Sequence, residues 1–286
     1  MEVPTRIDRR RLLGIGALAT LYPAPLVRGE PPTTDPPPSL STAHAHNDYR
    51  QTRPLVGALE LGFTSIEIDV FPVDDRLLVG HDTHELRKER DLGSMYLDPI
   101  LARCREATST DRGPLPDGQR LTLLIDIKRN GKRTLELLVP LLAPLRPWLQ
   151  RMENGVLVEG SIEVIISGSR PMSAVRSLQD RPVFIDGRIR DLGQGYSPDL
   201  MPLVSCSMQP TLGTYGLTGL DDSARERLAT LVRRTHEEGK RLRFWGHVES
   251  RSVWKALVDA RVDHIGTDLP RSLAKWLRQN DPRCGA

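Results

Sequence analysis

Thr64-Ser65-Ile66-Glu67-Ile68-Asp69-Val70-Phe71 alternates with a period of two, so as a strand it puts Glu67 and Asp69 on one face and Ile66, Ile68 and Val70 on the other. Two carboxylates on one side of an apolar strand have two physical outcomes. On a half-exposed sheet they are solvated. In a partly buried site their repulsion raises a pKa or draws in a cation, and a hard divalent ion with oxygen ligands is the common solution. What the neighbouring segments bring to that face decides between them.

From Ser39 onward, short apolar runs alternate with helical patterns, the signature of βαβ units around a parallel sheet. Strands are expected over residues 40–46, 64–71, 121–128, 161–167, 183–186, 203–208, 242–247 and 264–267, with a further short run at 77–81. Helices are expected over 54–61, 96–107, 133–149, 172–178, 223–238, 252–260 and 272–279. Gly62 closes the first of them, and Asp221 or Asp222 is available to cap the helix at 223–238. The connection after the fifth strand, with Gly193, Gly195 and Pro198, has no helical pattern. Eight strands interleaved with helices predict a single-domain α/β fold, a (β/α)8 TIM barrel over residues 39–286. An open doubly wound sheet is the alternative, but no Gly-x-Gly-x-x-Gly turn follows the first strand.

The 286 residues, 38% of them hydrophobic, suffice for such a core. The formal charge of +3 is spread without a basic run, which argues against a nucleic-acid partner. Cys104, Cys206 and Cys284 are odd in number and widely spaced, fitting neither a disulfide framework nor a pair of metal ligands. At the N-terminus, Arg9, Arg10 and Arg11 precede the short apolar run Leu12 to Ala19, a basic region followed by a hydrophobic one. Residues 1–29 therefore read as an export signal, and Asp8-Arg9-Arg10-Arg11-Leu12-Leu13 resembles the twin-arginine type. The run is shorter than the roughly 18 apolar residues of a membrane span; an uncleaved signal acting as an anchor is the alternative. Residues 30–38 read as a Pro-rich extended spacer.

In a barrel, reactive residues gather at the C-terminal ends of the strands. The first strand ends in His44-Ala45-His46-Asn47-Asp48-Tyr49, the second carries Glu67 and Asp69, the third carries Asp126 and Lys128, and His81-Asp82 follows the second. Imidazoles beside a cluster of carboxylates and a lysine suit phosphoryl chemistry, in which an ion polarises phosphate oxygens and histidines move protons.

This ordered series, His46, Glu67-x-Asp69, His81-Asp82 and Asp126-x-Lys128, resembles the glycerophosphodiester phosphodiesterase-like superfamily, which includes the phosphatidylinositol phospholipase C-like enzymes. The forms His44 to Tyr49, Asp186 to Arg188, Arg243 to His247 and Val262 to Asp268 look most like the branch named for altered inheritance of mitochondria protein 6 and its bacterial relatives. The resemblance implies a phosphodiesterase acting on a glycerophosphodiester or lipid phosphodiester, with transient contact at a membrane surface. It implies one divalent cation, Mg²⁺ or Ca²⁺, held by Glu67, Asp69 and Asp126, with His46 and His81 as general base and general acid, possible attack by the substrate's own hydroxyl to give a cyclic phosphate, Lys128 balancing phosphate charge, and Trp245 lining the pocket. Two departures stand out. The common phosphodiesterases carry His-Arg-Gly where this chain has His46-Asn47-Asp48, and Glu-x-Lys where it has Asp126-Ile127-Lys128. The shorter Asp126 can still reach a metal. The missing arginine needs a substitute, Lys128 first and Arg188 second.

Other residues have plainer readings. His44 shares a strand face with His46 and could ligate a metal, support a ligand or fill the barrel. Asp268 reads as a cap of the last helix, Tyr49 as packing under the loop, and Asp186 as reaching the site or structuring a turn. His84, His236 and His264 read as solvated or hydrogen-bonded, and His247 as either structural or functional. Two rival functions follow from the same motifs. One is a zinc hydrolase of the amidohydrolase layout, suggested by His44-Ala45-His46 but wanting histidines at the ends of the fifth and sixth strands. The other is a catalytically silent barrel that binds a phospholipid headgroup.

Overall fold

The computed structural model describes residues 37–107 and 113–284. The export signal expected at 1–29 and most of the spacer expected at 30–38 lie outside them. Strands β1 (Leu40–Ala45), β2 (Phe63–Val73), β3 (Arg76–Val79), β4 (Leu121–Ile127), β5 (Arg151–Glu153), β6 (Val156–Val158), β7 (Ile162–Gly168), β8 (Phe184–Gly187), β9 (Leu203–Ser207), β10 (Arg241–Trp245) and β11 (His264–Thr267) follow in chain order. Eight of them pair in parallel in the order β1, β2, β4, β7, β8, β9, β10, β11, and β11 returns to β1 to close the barrel. The helices are α1 (Val56–Glu60), α2 (Asp98–Glu106), α3 (Gly131–Leu141), α4 (Met172–Ser177), α5 (Met208–Leu212), α6 (Asp222–Glu237), α7 (Arg251–Asp259) and α8 (Pro270–Asn280). The architecture is the expected (β/α)8 barrel. Among the described residues, no helix is long and apolar enough to cross a membrane.

In β2 the alternation separates two buried compartments rather than core from solvent. Ile66, Ile68 and Val70 are fully buried in the apolar layer beneath the helices. Glu67 and Asp69 are only 6% and 0% exposed, so the solvated-face reading of this strand is excluded. They point into the lumen. There Leu124, Ile165, Phe184 and Leu203 form a small apolar plug of their own. The rest of the lumen is polar, because His44, Ser65, Glu67, Ser205 and Arg243 hydrogen-bond across β1, β2, β9 and β10.

Two expectations, the helices over 133–149 and 96–107, are corrected. The helix expected over 133–149 is divided: Asn130 accepts from the Arg133 amide at its start, α3 ends at Leu141, and Ala143–Trp148 is a 3-10 turn. Pro144 and Pro147 lack the amide donors that a continuing helix needs. After it comes an unanticipated antiparallel hairpin, β5 with β6, turned by Asn154-Gly155, both at positive φ. That dipeptide is itself the signature of such a turn. A π-helical turn, Gly93–Leu97, precedes α2 where a single helix was expected. The run at 77–81 is an antiparallel strand, β3, paired to the outer end of β2 and outside the barrel ring. Of the two candidate caps of α6, Asp221 is the one used, accepting from the Ala224 amide at 2.8 Å.

Gly168 ends β7 at φ +65°, and a Cβ there would lie 2.1 Å from Asp126 Oδ1 and 2.3 Å from the Ile127 carbonyl oxygen. Gly168→Ala is expected to destabilise the fold by at least ~1 kcal/mol from backbone strain alone. Urea unfolding with an unchanged midpoint would show that the turn is more tolerant than its geometry implies.

Candidate active site

A cavity of about 820 Å³ opens at the C-terminal end of the barrel. His46, Glu67, His81, Asp126, Lys128, Arg188 and Trp245 line it, and Asp69 is buried beside Asp126. Strand register brings them together. Asp69 on β2 is level with Asp126 on β4, the Lys128 amide donates to the Val70 carbonyl, and the His46 amide donates to the Thr267 carbonyl. The Gly80 amide donates to the Asp69 carbonyl at 3.2 Å, returning the His81 loop over β2.

Carboxylate oxygens of Glu67, Asp69 and Asp126 all lie within 4.8 Å of one another. Lys128 Nζ donates to Asp126 Oδ2 at 2.7 Å and lies 2.8 Å from Asp69 Oδ2. The Tyr49 hydroxyl donates to Asp69 Oδ2 at 2.7 Å. Asp69 Oδ1 is buried with no partner. Burial, and next the charge of Glu67, push the Asp69 carboxyl up to about 6 against the pull of Lys128 and Tyr49. Lys128 stays firmly protonated: burial opposes its charge, but Asp126 and Asp69 outweigh it.

Beneath this rim, the Arg243 guanidinium bonds Glu67 Oε2 and reaches Ser205 Oγ at 3.4 Å. Burial works against an ionised Glu67, but Arg243 and then the His44 hydrogen bond hold its carboxyl far below the usual range. Burial, with Arg243 second, lowers His44 to about 3, so its ring is neutral. A carboxylate only accepts, so His44 Nε2–H donates to Glu67 Oε2 at 3.2 Å and the Ser65 hydroxyl donates to Nδ1 at 2.7 Å. Of the three readings of His44, a side chain fully buried in the lumen and bonded to Glu67 is compatible with filling the barrel and with supporting a ligand. The formal count is three carboxylates against Lys128 and Arg243. One negative charge and one buried acceptor, Asp69 Oδ1, are left without a partner, which is the deficit a bound divalent cation would fill.

Each histidine is tethered by an aspartate at Nδ1. His46 Nδ1 donates to Asp268 Oδ1 at 2.8 Å, and His81 Nδ1 lies 3.1 Å from Asp82 Oδ2. Burial would lower the His46 pKa, but the Asp268 hydrogen bond and the Glu67 charge together raise it above its ordinary 6.5. Asp268 is therefore not a helix cap. Leu269 holds that position and Pro270 opens α8; proline has no amide to satisfy, which leaves the Asp268 carboxylate for His46. Glu249 secures the loop from behind, accepting from the Asp268 amide and the Thr267 hydroxyl.

The remaining candidates separate by position. Asp186 is buried and accepts from Arg188 at 2.6 Å and from Ser167 at 2.7 Å. Arg188 directly follows β8, four places around the ring from β1, whereas Lys128 sits among the acids. Trp245, 40% exposed, lines the mouth. His264 is neither solvated nor hydrogen-bonded as expected: it is buried in the lumen with both ring nitrogens unpartnered, and burial keeps it neutral. His247 turns Nδ1 to the Val248 carbonyl at 3.2 Å and does not line the cavity. His84 is exposed, and His236 pairs with Asp263. The sequence reading did not single out Arg243, although an arginine two residues before Trp245 on an apolar strand was a signal that it shares the lumen face. Asp268 and Tyr49 were assigned other roles, because their partners are set by tertiary contacts across the ring.

Residues 39–186 match the AIM6-like phosphodiesterase domain. An altered inheritance of mitochondria protein 6 homolog from Arthroderma benhamiae is 31% identical over 246 residues, covering 78% of this chain and 76% of that protein. Altered inheritance of mitochondria protein 6 from Eremothecium gossypii is 29% identical over 273 residues, covering 84% and 70% respectively. A crystal structure of a glycerophosphodiester phosphodiesterase from Parabacteroides distasonis has the same fold, with a TM-score of 0.51 and 16% identity over 83% of this chain and 97% of that one.

Asp268→Asn removes the carboxylate that favours the imidazolium of His46. In the metal-free protein the His46 pKa should fall, as followed by an NMR titration of the histidine ring protons; an unchanged value would mean that Asp268 does not set it. Because the folded pKa lies above the unfolded one, the His46 contribution to stability is fully present below about pH 6.5 and is lost as pH rises through the folded value. Asp268→Asn should remove that increment on the acid side only.

Proposed function

The chain belongs to the family of AIM6-like phosphodiesterase domains, which are phosphoric diester hydrolases, and on that premise we propose that it is metal-dependent and cleaves a glycerophosphodiester or phospholipid headgroup by two-histidine acid–base catalysis. The observation that carries this reading is the meeting, in one cavity, of His46 and His81, each tethered by an aspartate, with the three carboxylates of Glu67, Asp69 and Asp126. Those carboxylates would hold one Mg²⁺ or Ca²⁺ ion. When bound, the ion supplies polarisation of the phosphate oxygens. Lys128, now bridging Asp69 and Asp126, lies beside the cradle and is the cation nearest to it for a phosphate oxygen.

His46 takes the proton of the attacking hydroxyl on Nε2. Asp268 at Nδ1 holds the ring in the tautomer that leaves Nε2 able to accept, and it stabilises the imidazolium that results. His81, oriented by Asp82, gives a proton to the leaving oxygen. The attacking hydroxyl is that of water or of the substrate's own neighbouring carbon, the latter giving a cyclic phosphate. Trp245 offers an apolar face at the mouth, where a lipid substrate would enter with transient contact at a membrane surface. Residues 1–29 support export as the route by which the enzyme meets it. The zinc-hydrolase alternative wants histidines at the ends of β8 and β9, which read Phe184–Gly187 and Leu203–Ser207 and carry none. A silent binding barrel has no need for two aspartate-tethered imidazoles.

His46→Ala or His81→Ala is expected to lower kcat by ~10²–10⁴ with divalent-ion affinity retained. A variant that turns over glycerophosphodiesters at the wild-type rate would remove that histidine from proton transfer. Asp69 must shed its proton to ligate, so Mg²⁺ or Ca²⁺ affinity should rise as pH increases through about 6. Calorimetry with a flat affinity between about pH 5 and 7, or with Asp69→Asn binding as tightly as wild type, would count against Asp69 as a ligand.

A further inference from the structure

The cavity extends well past the histidines and acids. Its volume of about 820 Å³ exceeds what a scissile phosphate and a glycerol unit fill, and the remaining space is walled by the ends of β7, β8, β9 and β10. Ser167, Arg188, Arg190, Ser207 and Trp245 line that wall. β8 stands four places from β1 in the ring of eight, so Arg188 and Arg190 lie across the mouth from His46.

The wall is built to carry positive charge. Arg188 is held in place, with Nη1 2.6 Å from Asp186 Oδ2 and Nη2 3.1 Å from Ser167 Oγ. Asp186 is fully buried beneath it and offsets one charge. Arg190 is exposed at the same wall and forms no salt bridge among the described residues. Two guanidiniums against one carboxylate leave a net single positive charge. Lys128 already serves the scissile phosphate from among the acids, so this second charge is surplus to the reaction centre.

Headgroup classes fare differently here. A quaternary ammonium group is recognised by an enclosing set of aromatic faces, and this wall offers Trp245 alone beside two guanidiniums. A phosphate or carboxylate would meet planar donor forks and the Ser207 hydroxyl, donors that bind such groups with charge-assisted hydrogen bonds. We propose that Arg188 and Arg190 form a second anion subsite, so that the preferred diester carries an additional acidic group on its headgroup. The position of this subsite in the reaction rests on the phosphodiesterase reading; its ligand chemistry does not.

Three diesters test it: glycerophosphoglycerol, the same compound bearing a terminal phosphomonoester, and glycerophosphocholine. Calorimetry with the full chain carrying His46→Ala and His81→Ala, in Mg²⁺, reads binding without turnover. The phosphomonoester should bind at least ~10-fold more tightly than glycerophosphoglycerol, with the choline compound weakest. Adding Arg190→Gln should bring the first ratio to about 1, and Arg190→Lys should restore part of it. Equal affinities, a ratio that survives Arg190→Gln, or choline as the tightest ligand would overturn the proposal. Turnover of the same three compounds by the unsubstituted chain separates the two readings. The binding order without cleavage would sink the phosphodiesterase and keep the subsite, whereas cleavage without the binding order would do the reverse.

Discussion

Glu67 is a carboxylate buried in the lumen of a barrel, where an isolated charge is untenable and must be paired, hydrogen-bonded or neutralised. It is paired from below by Arg243 and bonded from the side by a neutral His44, itself held by Ser65. Breaking such a pair by removing one partner leaves the other charge buried and uncompensated, at a typical cost of about 3–5 kcal/mol. Four strands, β1, β2, β9 and β10, are joined by this cluster through the middle of the ring. The polar side of the lumen is therefore committed, and the apolar plug of Leu124, Ile165, Phe184 and Leu203 fills the other.

The reactive rim is laid on that foundation. Burial, and then the ionised Glu67 below, push Asp69 towards protonation, and Lys128 and Tyr49 only partly relieve it. The carboxyl trio is in this way electrostatically frustrated in the absence of a cation: one oxygen unpartnered, one negative charge in excess. A divalent ion would reverse the local sign from one negative charge to one positive, which is the sign a phosphodiester monoanion requires. Cationic groups line the cavity at Lys128 beside the acids, at Arg243 against Glu67, and at Arg188 and Arg190 past the end of β8.

The two histidines share one design on different elements. His46 is carried by the end of β1 and tethered across the closure of the barrel to the loop after β11, whereas His81 is on an exposed loop and is tethered by its immediate neighbour Asp82. The His46 tether depends on the ring being closed, since Asp268 is 222 residues away in the chain. The His81 tether is local, between neighbouring residues of one loop.

How much of this was legible in the chain follows from the range of the interactions. Period-two alternation, glycine and proline punctuation and helix caps are local, so the eight strands, the barrel and the trio of Glu67, Asp69 and Asp126 could be read from residues 39–286 directly. The same locality failed where signals competed, as in the helix expected over 133–149, which prolines divide before the Asn154-Gly155 hairpin. Side-chain partners across the ring were out of reach. That Asp268 serves His46 instead of capping α8, that Arg243 holds Glu67, and that His264 is buried without a partner depend on which strands become neighbours on closure, and no periodicity encodes that. The sequence by itself determined the barrel and which residue types stand at its rim, because backbone pattern and residue type act locally; only the tertiary structure decided the charge balance of the site, because burial and through-space pairing exist only once the ring is shut.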